Sequence, residues 1–410
     1  MLHRRLRLGK ISYRYRREAL ILALAGLLIV PFNQGITNRL NLIVFGIIAL
    51  AIFLLVVFDQ PAKLPRQNQA LVLSAIALAA WIFTSTFWSP DKTSALNAAY
   101  IYGEAALIFI VLLGVFKHGA LKRIWVWTYL IVAALCSLIG IWSLSANPSG
   151  RIQLGWILAN SAAGWLLPAV VLLIFGRSQF RAKTAAQKLF LLLISGCVVA
   201  GFILSFSRGA WACLVLTSVV LIFLRNGWKF AAAAVAFLLI IVPAAARVSQ
   251  WTSVKNSHSS IVQNIFRSSN ITVHDRKIYA QSALDLFRRH PLTGSGAGSY
   301  RIAGTINQPG VVMVSTNAHA SLLQFLAEFG LIGTGLLALV GGQILYRFWY
   351  LGHNRVEQVY VVAALALMLH FAIDIDLIYP SLVFLLASIT ALALAPIETD
   401  HHKSRSLSRS

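Results

Sequence analysis

Cysteine and acidic residues are scarce in this sequence. The three cysteines, Cys136, Cys197 and Cys213, all lie within apolar stretches, where a thiol behaves as a small hydrophobic side chain, so we predict no disulfide. The chain has 12 Asp and Glu residues against 35 Lys and Arg residues. No group of histidines and cysteines has the spacing of metal ligands. These shortages argue against a bound divalent cation, and we expect neither a metal nor a cofactor at the functional site.

Charged residues make up only 11% of the 410 residues, whereas 58% are hydrophobic. Apolar runs of about 20 residues, long enough to cross a bilayer, recur along the chain. We see no clear internal repeat and predict no sizeable soluble domain at either end. The pattern predicts an all-α polytopic membrane protein with about twelve transmembrane helices, near 19–37, 40–58, 70–88, 98–116, 123–143, 156–176, 188–206, 209–224, 229–247, 320–346, 358–373 and 377–396.

The Lys and Arg residues sort onto alternate loops, as the positive-inside rule describes for membrane proteins. With the N-terminus in the cytoplasm, the short opposite loops hold only Arg39, Lys92, Arg151 and Arg208. This distribution accounts for the net charge of +23 without a nucleic-acid partner. It predicts a cytoplasmic basic arm at 1–18 with no cleavable signal, helices 1–9 within 19–247, a periplasmic segment at 248–319, helices 10–12 within 320–396, and a cytoplasmic tail at 397–410.

The long external segment contains one predicted helix, at residues 273–290, which Pro291 ends. Its apolar residues fall close to one stripe, which is typical of an amphipathic helix; they are Ile278, Ala283, Leu286 and Phe287. The glycine-rich run 294–298 follows. Because no strand precedes it, this run does not fit a dinucleotide fingerprint. It is either a turn that lets the helix pack against the mouth of the bundle or a backbone nest for a phosphate oxygen.

Arginines near the external face are candidate anion ligands, since ionisable groups at a membrane edge are costly and often functional. Arg208 lies in a tight bend between two short predicted spans, and a guanidinium matches phosphate oxygens better than an ammonium does. The alternative for Arg208 is snorkelling to lipid phosphates. Arg276 opens the amphipathic helix, and its alternative is a solvated charge paired with Asp275. Spacing does not decide among Arg276, Arg288 and Arg289, and Arg151 is a further candidate.

His319 lies where the external segment re-enters the apolar part of the chain. An imidazole that titrates near neutrality, placed beside an aqueous cavity, can take a proton from a hydroxyl group. The alternative is a helix-end residue next to Asn317, which would cap the following span. Glu328 follows nine residues later, about 14 Å along a helix, and we interpret it as an internal hydrogen-bond partner rather than a base. We expect Asp374 and Asp376 to flank a short external turn.

In this order, these features resemble the O-antigen ligase and polymerase superfamily of bacterial inner-membrane glycosyltransferases. The resemblance covers about the C-terminal half of the chain. Many members carry a second polar residue or histidine near the position of His319, where this chain has Ala318 and Ala320. The residues that carry the resemblance are the Ser207-Arg208-Gly209 bend, the runs 275–279 and 290–296, Asn317-Ala-His319, Gln324, Glu328 and the run 330–333, with Arg151 and Asn160 as weaker elements.

The resemblance implies a GT-C-like fold in the bacterial inner membrane, with both termini in the cytoplasm and the active site facing the periplasm. It implies a metal-independent, inverting transfer of an O-antigen glycan from undecaprenyl pyrophosphate to a sugar hydroxyl of the lipid A core. His319 would be the base, and Arg208 and Arg276 would bind the pyrophosphate. Supporting positions would be Arg151, Asn160, Arg288, Arg289, Asn317 and Glu328.

Three alternatives stay open at this point. An O-antigen polymerase would use the same donor with another lipid-linked glycan as acceptor. A protein O-oligosaccharyltransferase is a third relative, which often carries an additional C-terminal soluble region. From a different class, a transporter of lipids or glycans could use the arginines as a pathway and His319 as a proton relay, although we find no matching halves in the sequence.

Overall fold

The computed structural model describes residues 66–116, 119–146, 151–154, 157–176, 179–180, 182–230, 270–311, 314–350 and 355–395, together with residues 232 and 235. Within these ranges the chain is helical apart from turns, loops and one isolated bridge between Leu154 and Ile157. The predicted spans near 19–37 and 40–58, most of the span at 229–247, the basic arm and the tail lie outside the described residues.

The α-helices of the described residues all match predicted elements. Every one except α7 coincides with a predicted span, and six are long and apolar enough to cross a membrane. The all-helical polytopic prediction is therefore confirmed, while the number of twelve spans stays a prediction. In chain order the helices are α1 (Arg66–Ser85), α2 (Lys92–Val115), α3 (Gly119–Trp142), α4 (Ala159–Phe175), α5 (Ala185–Leu204), α6 (Arg208–Asn226), α7 (Asn270–Arg289), α8 (Ser321–Tyr350), α9 (Arg355–Ile373) and α10 (Pro380–Leu394).

The core of the bundle lies around α4, α9 and α10. Helix α4 is apolar on all sides, and nearly all of its side chains are buried, as expected for a helix enclosed by others. It packs against α5, α6 and α9, while α10 packs against α2. The Tyr129 hydroxyl of α3 donates a hydrogen bond to the Trp165 carbonyl of α4 at 2.6 Å, so this buried polar group is satisfied.

Helix α7 is the predicted amphipathic helix, and it packs against α8. Its buried apolar side chains are Tyr279, Ala283 and Leu286. Ile278 and Phe287, the other two residues of the predicted stripe, are half-buried. Ala283 and Leu286 pack in one cluster with Tyr300, Ala318 and Ala327. The helix ends at Arg289, two residues before Pro291, as expected.

Helix α8 breaks at Gly330, whose φ of 64° and ψ of −166° are not helical. A break leaves backbone amides and carbonyls without partners in the helix. Residues that follow α7 supply those partners on both sides of the break. Two amides of α8 donate to carbonyls of that segment, and two carbonyls of α8 accept from its amides. The pairs are Leu331 to Pro291 (2.9 Å), Ile332 to Leu292 (3.2 Å), Ser295 to Ala327 (3.0 Å) and Gly296 to Glu328 (2.9 Å).

Glycine is required in this segment because the backbones approach so closely. Gly294, Gly296 and Gly298 all have positive φ values. A Cβ atom on Gly294 would lie 2.3 Å from the Glu328 carbonyl oxygen. The amides of this run already donate to protein acceptors, including the Glu328 carboxylate and the Ser85 hydroxyl. The packing interpretation of the glycine run is therefore correct, and the phosphate-nest interpretation is wrong.

We predict that Gly330→Ala destabilises the protein by about 3 kcal/mol. A Cβ atom on Gly330 would lie 2.3 Å from the Leu292 carbonyl oxygen, and an alanine does not readily adopt this backbone conformation. Thermal unfolding of detergent-purified protein, followed by tryptophan fluorescence, measures the effect. Gly335→Ala is the matched control, since no atom lies within 4 Å of its added Cβ. Equal melting temperatures for the two variants would contradict the interlocked break.

Candidate functional site

The tight bend between α5 and α6 carries the first predicted cation. Phe206 adopts a left-handed conformation with a φ of 50°, which reverses the chain. Ser207 then caps α6 by accepting a hydrogen bond from the Ala210 amide at 3.4 Å. Arg208 is therefore the first residue of α6 and is exposed. Its guanidinium adds to the positive potential of the helix N-terminus.

Arg151 is fastened to the same bend. Its Nε donates to the Ser205 carbonyl at 2.8 Å, and its Nη2 donates to the Asn160 Oδ1 at 2.5 Å. Asn160 lies in the first turn of α4, so the loop before α4 and the bend before α6 are held together. Of the weaker motif elements, Arg151 thus contacts the bend that carries Arg208, and Asn160 is joined to that bend through Arg151.

The charges of the other predicted cations act on Arg151. Burial lowers the pKa of Arg151, the Asp374 carboxylate opposes this, and the charges of Arg208 and Arg276 lower the pKa further. Like charges act on each other in this way only when they lie close together. The described structure therefore brings three guanidinium groups to one end of the bundle.

Arg276 extends from α7 toward the turn between α9 and α10. Its Nη2 lies 4.0 Å from the Asp374 Oδ2, and the Arg276 side chain is 46% exposed against 8% for Asp374. The alternative pairing with Asp275 is wrong, since the ion pair of Arg276 is with Asp374. The Ser321 amide donates to the Asp374 carbonyl at 3.0 Å, which fixes the start of α8 to this turn.

His319 lies just before α8, with its ring stacked on Tyr279 of α7. The two ring centroids are 5.3 Å apart and the planes differ by 27°. The backbone of His319 has a φ of 52°, an uncommon conformation for a residue with a side chain, and such strain is concentrated at functional sites. Helix α8 begins at Ser321, so the interpretation of Asn317 as its cap is wrong. The Asn317 amide group donates to Thr316 instead.

The surroundings of His319 favour its neutral form. Burial lowers the pKa of the imidazole, the charge of Arg276 lowers it further, and Asp374 opposes both effects. A neutral imidazole at pH 7 can accept a proton, as a general base must. The three arginines and the single carboxylate leave an excess of positive charge beside it. This arrangement can hold a doubly charged anion next to a proton acceptor.

Arg288 and Arg289 do not join this group. Both are exposed, and Arg288 pairs with Asp285 at 2.8 Å. Arg288 lies twelve residues after Arg276 on the same helix, about 18 Å away along its axis. Of the three candidates that spacing left open, the structure brings only Arg276 to the cluster.

Glu328 has a structural role in the described residues. Its carboxylate accepts hydrogen bonds from the Gly298 amide at 2.8 Å, the Tyr300 amide at 3.3 Å and the Gln324 side chain at 3.1 Å. It is 5% exposed. The interpretation as an internal hydrogen-bond partner agrees with these contacts. Two of its hydrogen-bond donors, Gly298 and Tyr300, belong to the external segment, so this segment extends to the depth of Glu328 in α8.

Two residues near His319 had no assigned role in the sequence analysis. Tyr279 belongs to a run of family resemblance, but nothing in the sequence indicates its ring stacking. Asp374 and Asp376 lie together in the short turn, as expected. Their side chains point to different partners: Asp374 faces Arg276, and Asp376 is buried and bonded to His370.

Among the described residues no group of three His, Cys, Asp or Glu side chains could hold a metal ion.

Comparison with known proteins assigns part of this chain to a family. Residues 189–338 match the family model described as O-antigen ligase. The match covers less than half of the chain and supports membership of the O-antigen ligase superfamily. A search of curated proteins found no match. Together with the several apolar helices, the match supports a multi-pass membrane protein that processes O antigen in lipopolysaccharide biosynthesis. The matched residues include Arg208, Arg276 and His319, whereas Arg151 and Asp374 lie outside the match.

We predict that the pKa of His319 lies below the ordinary value of a histidine side chain and that its charged neighbours shift it. Removing the Arg276 charge (Arg276→Gln) should raise the midpoint, because a nearby cation disfavours the imidazolium. Removing the Asp374 charge (Asp374→Asn) should lower it, because a nearby anion favours the imidazolium. NMR of ¹³C-histidine-labelled protein across pH measures the midpoint, with His319→Gln to assign the signal.

Arg288→Gln is the matched control for this titration, since it removes an arginine of the same helix about 18 Å away and should leave the midpoint unchanged. A His319 midpoint that is the same in Arg276→Gln and in the parent protein would mean that the two side chains do not share a site.

Proposed function

We propose that this protein is a glycosyltransferase of the periplasmic face that transfers an O-antigen glycan from undecaprenyl pyrophosphate to a sugar hydroxyl of the lipid A core. The observation that supports the proposal is that His319 stacks on α7, the helix that carries Arg276, and that Arg276 lies 4.0 Å from Asp374. The charges of Arg208 and Arg276 both act on Arg151, and the charge of Arg276 acts on His319. A proton acceptor beside a group of guanidiniums suits a reaction that releases a diphosphate. Orientation toward the periplasm is part of the proposal and follows from the distribution of basic loops.

The chemistry needs two contributions from the protein. The acceptor hydroxyl attacks the anomeric carbon of the donor sugar, the bond from that carbon to the pyrophosphate oxygen breaks, and the hydroxyl proton passes to His319. Arg208 and Arg276, supported by Arg151, stabilise the negative charge that grows on the departing pyrophosphate. Direct displacement inverts the configuration at the sugar carbon. This route uses no nucleotide and no metal ion.

The arrangement of the cations favours a tightly held anion over a loosely attracted one. Arg151 is held by two hydrogen bonds, and Arg276 faces a carboxylate that limits its movement. A guanidinium that is already positioned loses little conformational freedom when it binds phosphate oxygens. Because Arg151 is fastened to the bend that carries Arg208, we take pyrophosphate binding rather than snorkelling as the role of Arg208 as well.

We predict that His319→Gln lowers the rate of glycan transfer by about 100- to 10,000-fold, the contribution expected of a general base. Purified protein in nanodiscs, supplied with lipid-linked O antigen and lipopolysaccharide that lacks O antigen, provides the measurement. His274→Gln, an exposed histidine of α7, is the matched control and should retain the parent rate. Full activity of His319→Gln would remove the base from the mechanism.

We predict that Arg208→Gln raises the KM for the lipid-linked donor by about 10- to 100-fold, since a hydrogen bond to a charged group contributes about 1.5–3 kcal/mol. The KM for the acceptor should stay within about twofold. Lys229→Gln, on the opposite side by the predicted topology, is the control. An unchanged donor KM in Arg208→Gln would support lipid snorkelling instead.

The same assay separates the proposal from its alternatives. A transporter forms no covalent product, so absence of product from the parent protein in the presence of both substrates counts against any enzyme. A polymerase joins two lipid-linked glycans and leaves the lipid A core unmodified. In cells, loss of a ligase accumulates lipid-linked polymer and bare core, whereas loss of a polymerase leaves core that carries a single repeat unit.

A further inference from the structure

A cavity of about 300 Å³ lies between α2, the first half of α8 and the turn before α10. None of the three clustered arginines lines it. It borders the turn that carries Asp374 and the short segment around His319, to which Thr316, Asn317 and Ser321 belong. The polar side chains that matter for its chemistry are those of Asn97, Tyr102, Arg301, Asn317 and Gln324.

The lining is suited to a sugar. Asn97 and the Tyr102 hydroxyl make no hydrogen bond to another described residue, so their donors and acceptors can serve a ligand. The Tyr102 ring is held edge-on by Phe325 and Phe329, at centroid distances of 6.1 and 6.4 Å. A concave site with apolar walls and a few oriented polar groups is typical of small-molecule binding.

The lining carries one acidic and one basic side chain. The Glu328 carboxylate is already bonded to two backbone amides and to Gln324. Arg301 is exposed and its charge acts on Asp91 beyond the cavity. The two charges offset each other, so the cavity suits a neutral sugar.

The position of His319 relates the cavity to the reaction. Asn317 and Ser321 each lie two residues from His319, so their Cα atoms are at most about 7 Å from that of His319. That separation is about the width of one sugar ring. The His319 ring itself contacts α7, where Arg276 lies. The segment that carries His319 therefore borders the cavity, and the His319 ring contacts the helix that carries Arg276.

We infer that this cavity binds the acceptor sugar whose hydroxyl receives the glycan; the inference rests on the proposed function. In a direct displacement the hydroxyl enters from the side opposite to the leaving group. With pyrophosphate on Arg208 and Arg276, the acceptor must approach from elsewhere, and the cavity offers Asn97 and the Tyr102 hydroxyl, which make no hydrogen bond to another described residue. The acceptor rather than the donor glycan is its occupant, because the arginines proposed to hold the donor phosphates do not line it.

The test uses Asn97→Ala and Tyr102→Phe in the full-length protein in nanodiscs. Each should raise the KM for lipopolysaccharide without O antigen by about 3- to 10-fold, the loss expected for one hydrogen bond, while the KM for the lipid-linked glycan stays unchanged. Tyr100→Phe is the matched control, because Tyr100 lies on the same helix, is 58% exposed and does not line the cavity. Thermal unfolding verifies that each variant is folded, and Tyr102→Phe keeps the packing with Phe325 and Phe329.

A binding measurement separates this inference from the proposed function. Fluorescence titration of nanodisc-embedded protein, with either lipopolysaccharide lacking O antigen or lipid-linked glycan, requires no turnover. Weaker binding of the former alone in the cavity variants supports the inference even if transfer is not observed. Weaker binding of the lipid-linked glycan alone means that the cavity holds donor sugars, which overturns it. The inference is also overturned if the cavity variants bind both probes with the same affinity as Tyr100→Phe. In that case the proposed transfer reaction still stands if the parent protein forms product.

Discussion

The architecture of the site depends on a broken helix whose open hydrogen bonds are completed by a different part of the chain. At Gly330 the backbone of α8 leaves its helical path, and the residues after α7 donate to and accept from the exposed groups on both sides. An unpaired amide or carbonyl in this position would cost about as much as a lost hydrogen bond. The break and the segment can therefore exist only together, and their pairing holds α7 on α8.

The pairing of α8 with the segment after α7 also helps to position the residues around His319. Helix α7 carries both Arg276 and Tyr279, and Tyr279 supports the ring of His319. The Glu328 carboxylate, in the first half of α8, accepts a hydrogen bond from the Gly298 amide of the glycine segment. Ser321, the first residue of α8, donates to the carbonyl of Asp374 in the turn before α10. The left-handed conformation of His319 is thus held from two directions, by its stacked ring and by the fixed start of α8.

Electrostatic balance is the second constraint on the site. The charges of Arg208 and Arg276 act unfavourably on the charge of Arg151. Hydrogen bonds to Ser205 and Asn160 hold Arg151, and Arg276 lies opposite the carboxylate of Asp374. One carboxylate is too little to neutralise the three arginines, so the site keeps an excess of positive charge. A site that must bind and release a diphosphate needs this partial compensation, since complete neutralisation would leave no attraction for the anion.

Sequence alone determined the helical class, the positions of the helices within the described residues and the amphipathic helix, and it indicated Arg151, Arg208, Arg276 and His319 as candidate site residues. Hydrophobic run length and the cost of charge in lipid act locally along the chain, and the order of the motifs indicated the superfamily. Tertiary structure decided which arginine of α7 joins the cluster, that Asp374 and Tyr279 belong beside His319, and that Glu328 binds backbone amides. The face that α7 buries and the cavity next to His319 were also decided there. These outcomes depend on which helices meet and on how each helix is rotated about its axis. Contacts between residues far apart in the chain leave no periodic signal in the sequence, so the rotation cannot be read from it.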